Sequence, residues 1–411
     1  MSLLYYLGVK VYHFLALTFS LFSEKARLFV RGRKRLFQGL EENIDPQKRI
    51  FWFHCASLGE FEQGRPLMEE IKRTYPDIQI LLTLFSPSGY EIRKNYSQAA
   101  YVTYLPLDTP RNARKFLQIV RPEKVFFIKY EYWYFFLREI EKQNIPVYLV
   151  SALFRKNHLF FRNYGAWFRK ILHCFDHIFV QDQASQTLLS SYNIDNVTVS
   201  GDTRFDRVKK IAEKAEPIPL IEHFRNGCFL LVAGSTWPKD ENLLIDYFQN
   251  TSGSVKLILA PHEVHQSRIN ALLEKFSEGQ AATFSEAGEA DIDTTIVLII
   301  DSIGLLSALY RYGDVAYVGG GFGKGIHNIL EPATFGLPVV FGPNHEKFKE
   351  ALDLKKQGGG FSVKTTDSFR QLIDGFLENQ EKLREAGQIS KHYVEQNAGA
   401  TRKILDHIPD E

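Results

Sequence analysis

The chain has 411 residues, enough for roughly two to three domains, and its 45% hydrophobic and 14% aromatic content excludes a disordered protein. Fifty basic residues stand against 48 acidic ones, a net charge of +2, and outside the N-terminus no basic stripe carries interleaved aromatics, so nucleic acid is not an expected partner. Cys55, Cys174 and Cys228 lie far apart, match no zinc spacing and cannot all pair, which fits a reducing compartment.

Residues 1–22, MSLLYYLGVKVYHFLALTFSLF, are mostly apolar, broken by Lys10 and His13, and are followed by Lys25, Arg27, Arg31, Arg33, Lys34 and Arg35. No small-residue cleavage site follows, which argues against a secretory signal peptide. About 20 apolar residues barely span a bilayer, whereas a helix lying in the interface lets Lys10 snorkel. The basic run belongs beside anionic headgroups on the cytoplasmic side. Residues 1–36 therefore read as a membrane-associated helix.

After a polar connector, residues 49–57 read as a buried strand leading through Leu58-Gly59-Glu60 into a helix over 61–73. The cycle repeats with strands at 79–83, 101–105, 124–129, 147–151 and 177–181, separated by helices at 88–96, 111–120, 134–142 and 167–172. Strands and helices alternating at this pace imply a parallel sheet covered on both faces. Charges, Pro217 and Pro219 break the rhythm over 203–225, where a domain boundary is expected. A second series then places strands at 228–233, 255–260, 295–300, 315–318 and 337–341. Its helices fall at 241–250, 263–276, 303–310, 327–335 and 346–356, and further helices fill 367–407. The fold class is α/β, with two doubly wound Rossmann-like domains facing a cleft, at 37–207 and 208–385. Residues 386–411 are expected to pack back on the first domain.

Ligands in such sheets bind beyond the carboxyl ends of the strands, so polar residues after strand ends carry the chemistry. Glu60 follows the first strand at a helix start, where a carboxylate can take the proton of a hydroxyl nucleophile or simply cap the helix. Glu131 follows strand 124–129 beside Trp133, as a second acid or a structural anchor. Asp108 precedes a helix begun by Pro110 and suits either a cap or a ligand. In the second domain Gly234-Ser235-Thr236, Pro261-His262 and Asp301-Ser302-Ile303-Gly304 follow three strand ends and converge on Val318–Pro343. That stretch holds Gly319, Gly320, Gly321, Gly323 and Gly325, whose bare backbone lets a ligand approach, or else serves a tight turn. A helix start carrying His327, Asn328 and Glu331 follows, with free amides that favour an anion. It is neither a Rossmann GxGxxG, which lacks its third glycine at Lys324 or Ile326, nor a P-loop, which needs Ser or Thr at Gly325 and glycine at Val318. No zinc pattern, GxSxG, HExxH, EF-hand loop or strand-end DxD occurs, so a nucleoside monophosphate donor used without metal or cofactor is the simplest expectation.

Nearly the whole chain resembles the bacterial 3-deoxy-D-manno-octulosonic acid (Kdo) transferases, lipid A-modifying glycosyltransferases of the GT-B fold. The motifs stand in the family's order: RGRK (31–34), HCASLGE (54–60), TLFSPSGYE (83–91), YLPLDTP (104–110), EYW (131–133), SGDTRFD (200–206), GST (234–236), APH (260–262), DSIG (301–304), GGGFGKGIHNILEPA (319–333) and GPNHEKF (342–348). The resemblance implies CMP-Kdo as donor, a lipid A precursor as acceptor and the cytoplasmic side of the inner membrane as location. It implies Glu60 as general base, Glu131 as a second catalytic group, and acceptor contacts at Ser57, Gly59, Ser88, Gly89 and Asp108 in the first domain. Donor contacts would fall at Arg204, Gly234, Ser235, Thr236, Pro261, His262, Asp301, Ile303, Gly304, Gly320, Gly321, Gly325, His327, Asn328 and Glu331, with Glu331 on the ribose. The chain departs from the family in having Lys129 for a glutamate, Arg204 for a lysine, Pro261-His262-Glu263 for P-R-H, HNILEP for HNPLEP, and Tyr134 for a proline. Another GT-B enzyme using a UDP- or ADP-sugar is the alternative expectation.

Overall fold

The computed structural model describes residues 1–249, 255–288, 292 and 294–409. Among these the chain divides into two compact units, residues 1–206 with 398–411, and residues 207–397. Asn250, the end of one expected helix, lies outside the described residues.

Unit 1 opens with three helices, α1 (Ser2–Phe19), α2 (Glu24–Arg31) and α3 (Leu36–Asn43). Its strands are β1 (Ile50–Cys55), β2 (Gln79–Leu84), β3 (Tyr101–Tyr104), β4 (Lys124–Ile128), β5 (Val147–Ala152), β6 (His177–Val180) and β7 (Val197–Val199). The intervening helices are α4 (Leu58–Thr74), α5 (Pro87–Arg93), α6 (Pro110–Val120), α7 (Tyr134–Lys142), α8 (Ala166–Leu172) and α9 (Gln183–Ser190), and α10 (Arg204–Lys214) carries the chain from unit 1 into unit 2. All strand pairs are parallel, in the order β3-β2-β1-β4-β5-β6-β7, so the topology reverses between β1 and β4. Every residue of β1, β2, β4 and β5 is buried, as a sheet covered on both faces requires. On one face Trp52 packs against Phe116, Phe127 and Phe136 and donates its indole N–H to Thr83 Oγ1 (2.7 Å); on the other Phe53 stacks on Phe126. Caps fix several helix starts: Thr109 accepts the Asn112 amide and Asp182 that of Ser185.

Unit 2 carries α11 (Pro219–Arg225), β8 (Phe229–Thr236), α12 (Pro238–Gln249), β9 (Val255–Pro261), α13 (Gln266–Leu273), β10 (Ala281–Thr283), β11 (Val297–Ile299) and α14 (Leu306–Leu309). Next come β12 (Val315–Val318), α15 (Leu330–Thr334), β13 (Val339–Phe341), α16 (Lys349–Gln357), β14 (Gly360–Ser362), α17 (Thr366–Glu378) and α18 (Gln380–Asn397). Its parallel sheet runs β10-β11-β9-β8-β12-β13-β14 and reverses between β8 and β12. The last helix, α19 (Ala400–Leu405), belongs to unit 1: the Asp206 carboxylate accepts the Gly399 and Thr401 amides, and Ile404 is fully buried in the core on the Phe53 face.

Several expectations need correcting. The boundary expected within 203–225 falls there, at 206/207, but the segment is helical, holding α10 and α11, with Pro219 at a first helical position, where its missing N–H costs nothing. The division falls at 206/207, and residues 386–397 stay in unit 2, so only 398–411 return to unit 1. The helix expected from His327 begins at Leu330 and spans five residues. The first of its amides, Leu330 N–H, is taken by the Asn328 side chain (3.1 Å) and the His327 amide by Gly319 O (3.1 Å), so that helix offers no free amide at those two positions.

Candidate active site

The loops leaving β1, β2 and β4 meet at the reversal point of the first sheet. Glu60 lies in the first turn of α4, half-buried, and accepts the hydroxyl of Ser57, the N-cap residue. Gly59 beside it is exposed. Burial raises the Tyr130 hydroxyl pKa, with the Arg155 charge opposing and the Glu60 charge adding to that rise, which places Tyr130 in the field of both. Burial also pushes the Cys55 thiol up, helped by both Glu60 and Glu131, so the two carboxylates converge on the end of β1.

Glu131 is buried. Its Oε2 accepts the Trp133 indole N–H at 2.6 Å and lies 3.0 Å from His54 Nε2 without hydrogen-bond alignment. His54 is held from behind through Nδ1, 2.9 Å from Thr83 Oγ1. Lys129, in the glutamate's place, sits at a left-handed φ of 71°, which turns the chain sharply out of β4. Gly89 packs α5 onto the start of α4, since a Cβ there would come 3.1 Å from Leu58 N; Ser88 is exposed and shares a hydrogen bond with Ser86 (2.8 Å). Asp108 stands apart from this cluster and does not cap α6. It is buried, accepts the Phe135 and Phe136 amides at the start of α7 (3.1 and 3.0 Å) and accepts the Tyr5 hydroxyl of α1 (2.7 Å). Burial raises its pKa to about 6 against those hydrogen bonds. A cavity of about 670 Å³ opens beneath α1, lined by Tyr6, Lys10, His13, Arg111 and Phe135 and by neither Glu60 nor Glu131.

Arg204, expected among donor contacts, belongs to unit 1 and grips Asp202 through Nε (2.9 Å) and Nη2 (2.8 Å). Burial alone would raise the Asp202 carboxyl; the Arg204 charge and its hydrogen bonds outweigh that and hold it low. Gln63 Nε2 adds contacts of 3.3 Å to both Asp202 oxygens.

In unit 2 the glycines serve backbone-to-backbone packing. A Cβ on Gly319 would lie 2.3 Å from Ser235 O, one on Gly321 2.6 Å from Gly342 Cα, and one on Gly234 2.1 Å from the Tyr310 hydroxyl. Gly320 needs its left-handed φ of 92°. Asp240, which sequence reasoning missed, ties the loops together: fully buried, it accepts the Gly320 amide (2.9 Å), the Trp237 amide (2.9 Å) and the Tyr317 hydroxyl (2.7 Å). Thr236 spends its hydroxyl on buried Glu241 (3.3 Å), a carboxyl raised by burial against the pull of Arg268. His262, after Pro261 at the end of β9, stacks with both Trp237 (4.7 Å) and His327 (4.5 Å). Trp237 Nε1 donates to His327 Nε2 (3.0 Å), and burial together with the His262 charge lowers the His327 pKa, keeping that nitrogen an acceptor. Glu331 accepts Asn328 Nδ2 (3.0 Å) and the Ser307 hydroxyl (2.6 Å). Asp301 accepts the Ser285 amide (3.2 Å), while Ile303 and Gly304 beyond it are exposed, Ile303 by 88%. Gly325 lies under the Phe348 ring at a φ of 142°. Among the described residues no three His, Cys, Asp or Glu side chains group as a metal site.

Residues 30–207 match the 3-deoxy-D-manno-octulosonic-acid transferase (kdotransferase) family. The Aquifex aeolicus 3-deoxy-D-manno-octulosonic acid transferase is 32% identical over 340 residues, covering 80% of this chain and 86% of that protein. The Haemophilus influenzae enzyme of the same name is 25% identical over 398 residues, 92% of this chain and 91% of its own. In fold the chain is similar to Neisseria meningitidis UDP-GlcNAc 2-epimerase bound to UDP-GlcNAc (TM-score 0.58, 14% identity, 87% of this chain and 98% of that one). It is also similar to Anabaena HepE in complex with UDP (TM-score 0.54, 14% identity, 88% and 99%). Two parallel Rossmann-like sheets with these neighbours make the fold GT-B. This chain belongs to the 3-deoxy-D-manno-octulosonic acid transferase family of glycosyltransferases.

Proposed function

We propose that the protein transfers Kdo from CMP-Kdo to a lipid A precursor, with inversion, using unit 1 for the acceptor and the proton and unit 2 for CMP. The observation that carries this reading is the pair Glu60 and Glu131 at the reversal point of the first sheet, in a chain of this family. Glu60 takes the proton from the acceptor hydroxyl as its oxygen bonds to the anomeric carbon of Kdo, and the bond from that carbon to the CMP phosphate oxygen breaks. Glu131, fixed by Trp133 and His54, keeps a negative field beside the oxocarbenium-like centre. In unit 2 the His262–His327 stack and Glu331 serve CMP, His327 staying neutral and Glu331 accepting ribose hydroxyls. No metal enters the reading, and turnover in EDTA equal to that without it is the expected result.

The N-terminal segment supports attachment to the cytoplasmic face of the inner membrane. None of the 18 residues of α1 is buried, and Leu3, Leu4, Leu7, Phe14 and Phe19 are exposed before an exposed basic run. At 1.5 Å per residue α1 is about 27 Å long, close to the thickness of a bilayer core. The test is the full-length protein with CMP-Kdo and a tetra-acylated lipid A precursor, followed by mass spectrometry. Kdo-bearing product with CMP released only when acceptor is present is expected; UDP binding with CMP ignored contradicts the reading.

A further inference from the structure

Arg33 is a half-buried cation that the mechanism does not use. Its Nε donates to Leu105 O (2.9 Å), Nη1 to Phe29 O (3.1 Å) and Nη2 to Phe85 O (3.0 Å), joining α2 to the ends of β2 and β3. The guanidinium lies over three rings, Phe29 at 3.7 Å, Tyr104 at 4.7 Å and Phe85 at 4.8 Å. Gly32 lets this segment lie close, because a Cβ there would come 2.1 Å from the Tyr104 ring. Among the described residues no carboxylate pairs with Arg33, so carbonyl oxygens and ring faces alone hold the charge. Only a flat fork with five donors fits that setting; lysine could satisfy one of the carbonyls and stack on none.

What the fork fixes leads to the candidate site. The Phe85 ring lies 4.8 Å from Trp133, whose opposite neighbour is His54 at 5.7 Å. Trp133 in turn donates to Glu131. Arg33 therefore sets Phe85, Phe85 sets the tilt of Trp133, and Trp133 aims the Glu131 carboxylate. We infer that Arg33 is a positioning residue for Kdo transfer, acting on Glu131 through Phe85 and Trp133 without touching substrate. The inference rests on the role proposed above for Glu131.

The test uses the full-length protein in detergent. Arg33→Lys is expected to lower kcat about tenfold with the KM for CMP-Kdo unchanged, and to cost nothing further in a Trp133→Phe background. A merely structural arginine predicts instead a lower melting temperature with kcat per folded molecule intact, or losses that multiply in the double variant; either result overturns the inference. Should Arg33→Lys not fold, Phe85→Leu must show the same kcat loss and the same lack of additivity, and an unchanged kcat there is equally fatal. A second readout is independent of turnover. In protein labelled with 5-fluorotryptophan, the fluorine signal missing from Trp133→Phe must shift in Arg33→Lys while those of the other three tryptophans stay. An unmoved Trp133 signal overturns the inference even if wild-type protein transfers no Kdo, an outcome that by itself counts only against the proposed function.

Discussion

The two sheets present opposite kinds of mouth at their reversal points. In unit 1 the strand ends carry side chains that hold one another: Ser57 on Glu60, Trp133 and His54 on Glu131, Arg204 and Gln63 on Asp202. In unit 2 the strand ends carry backbone packed on backbone, Gly319 against Ser235 and Gly321 against Gly342, tied by the single carboxylate of Asp240. Under the proposed function, the difference separates two tasks. A group that moves a proton needs an environment set by neighbouring side chains, whereas a surface that holds a nucleotide needs a fixed shape. Charge is tuned in one unit and contour in the other.

Gly319→Ala should break the contour side hardest. Its Cβ has nowhere to go but into the Ser235 carbonyl, so about 3 kcal/mol of stability and measurable CMP affinity should be lost, read by thermal melting and calorimetry. Glu131→Ala should break the charge side: it leaves the Trp133 indole N–H without its acceptor, costs about 2 kcal/mol, and lowers turnover while CMP affinity stays at the wild-type value. Asp240→Asn is the sharper probe, since here a carboxylate serves contour. It should cost about 1 kcal/mol and weaken CMP binding without changing the pH dependence of turnover. A pH profile that shifted would instead make Asp240 part of the chemistry.

The smallest effect at neutral pH is expected at Asp108. Its folded-state pKa of about 6 lies above the ordinary value of 3.8, so between those values the folded protein binds the proton that the unfolded chain has released. This group therefore favours folding increasingly as pH falls from 6 towards 4, and disfavours it by a constant amount above 6. Asp108→Asn should remove that slope, measured by urea unfolding at several pH values; an unchanged difference between variant and wild type across the range contradicts it.

The charge side was the more legible in the sequence. Glu60 and Glu131 each follow a run of apolar strand residues, and a carboxylate just past such a run is visible without knowing what packs beside it. Asp240 was not visible, because an acidic residue in the first turn of a helix is an ordinary capping choice. The glycines were seen, with ligand approach and a tight turn both open; that Gly319 and Gly321 lie against neighbouring backbone depends on which strands become neighbours. Pro219 looked like a breaker because the sequence alone does not say which helical position it will occupy. Of the five three-residue strands among the described residues, β11 and β13 lie inside the apolar runs expected at 295–300 and 337–341, whereas β7, β10 and β14 lie in none, and sheet neighbours rather than local pattern define them. Arg33, placed in a basic run facing lipid and in the RGRK motif but given no contact, is half-buried because Phe29, Phe85 and Tyr104 come together around it.

The division of tasks stands or falls on Glu60. Glu60→Gln keeps the size of the side chain and an oxygen to accept the Ser57 hydroxyl, but cannot take a proton. With CMP-Kdo and a lipid A precursor, it should release CMP at least about a hundredfold more slowly than wild type while binding CMP equally well by calorimetry. Near-normal turnover in the folded variant would contradict the account.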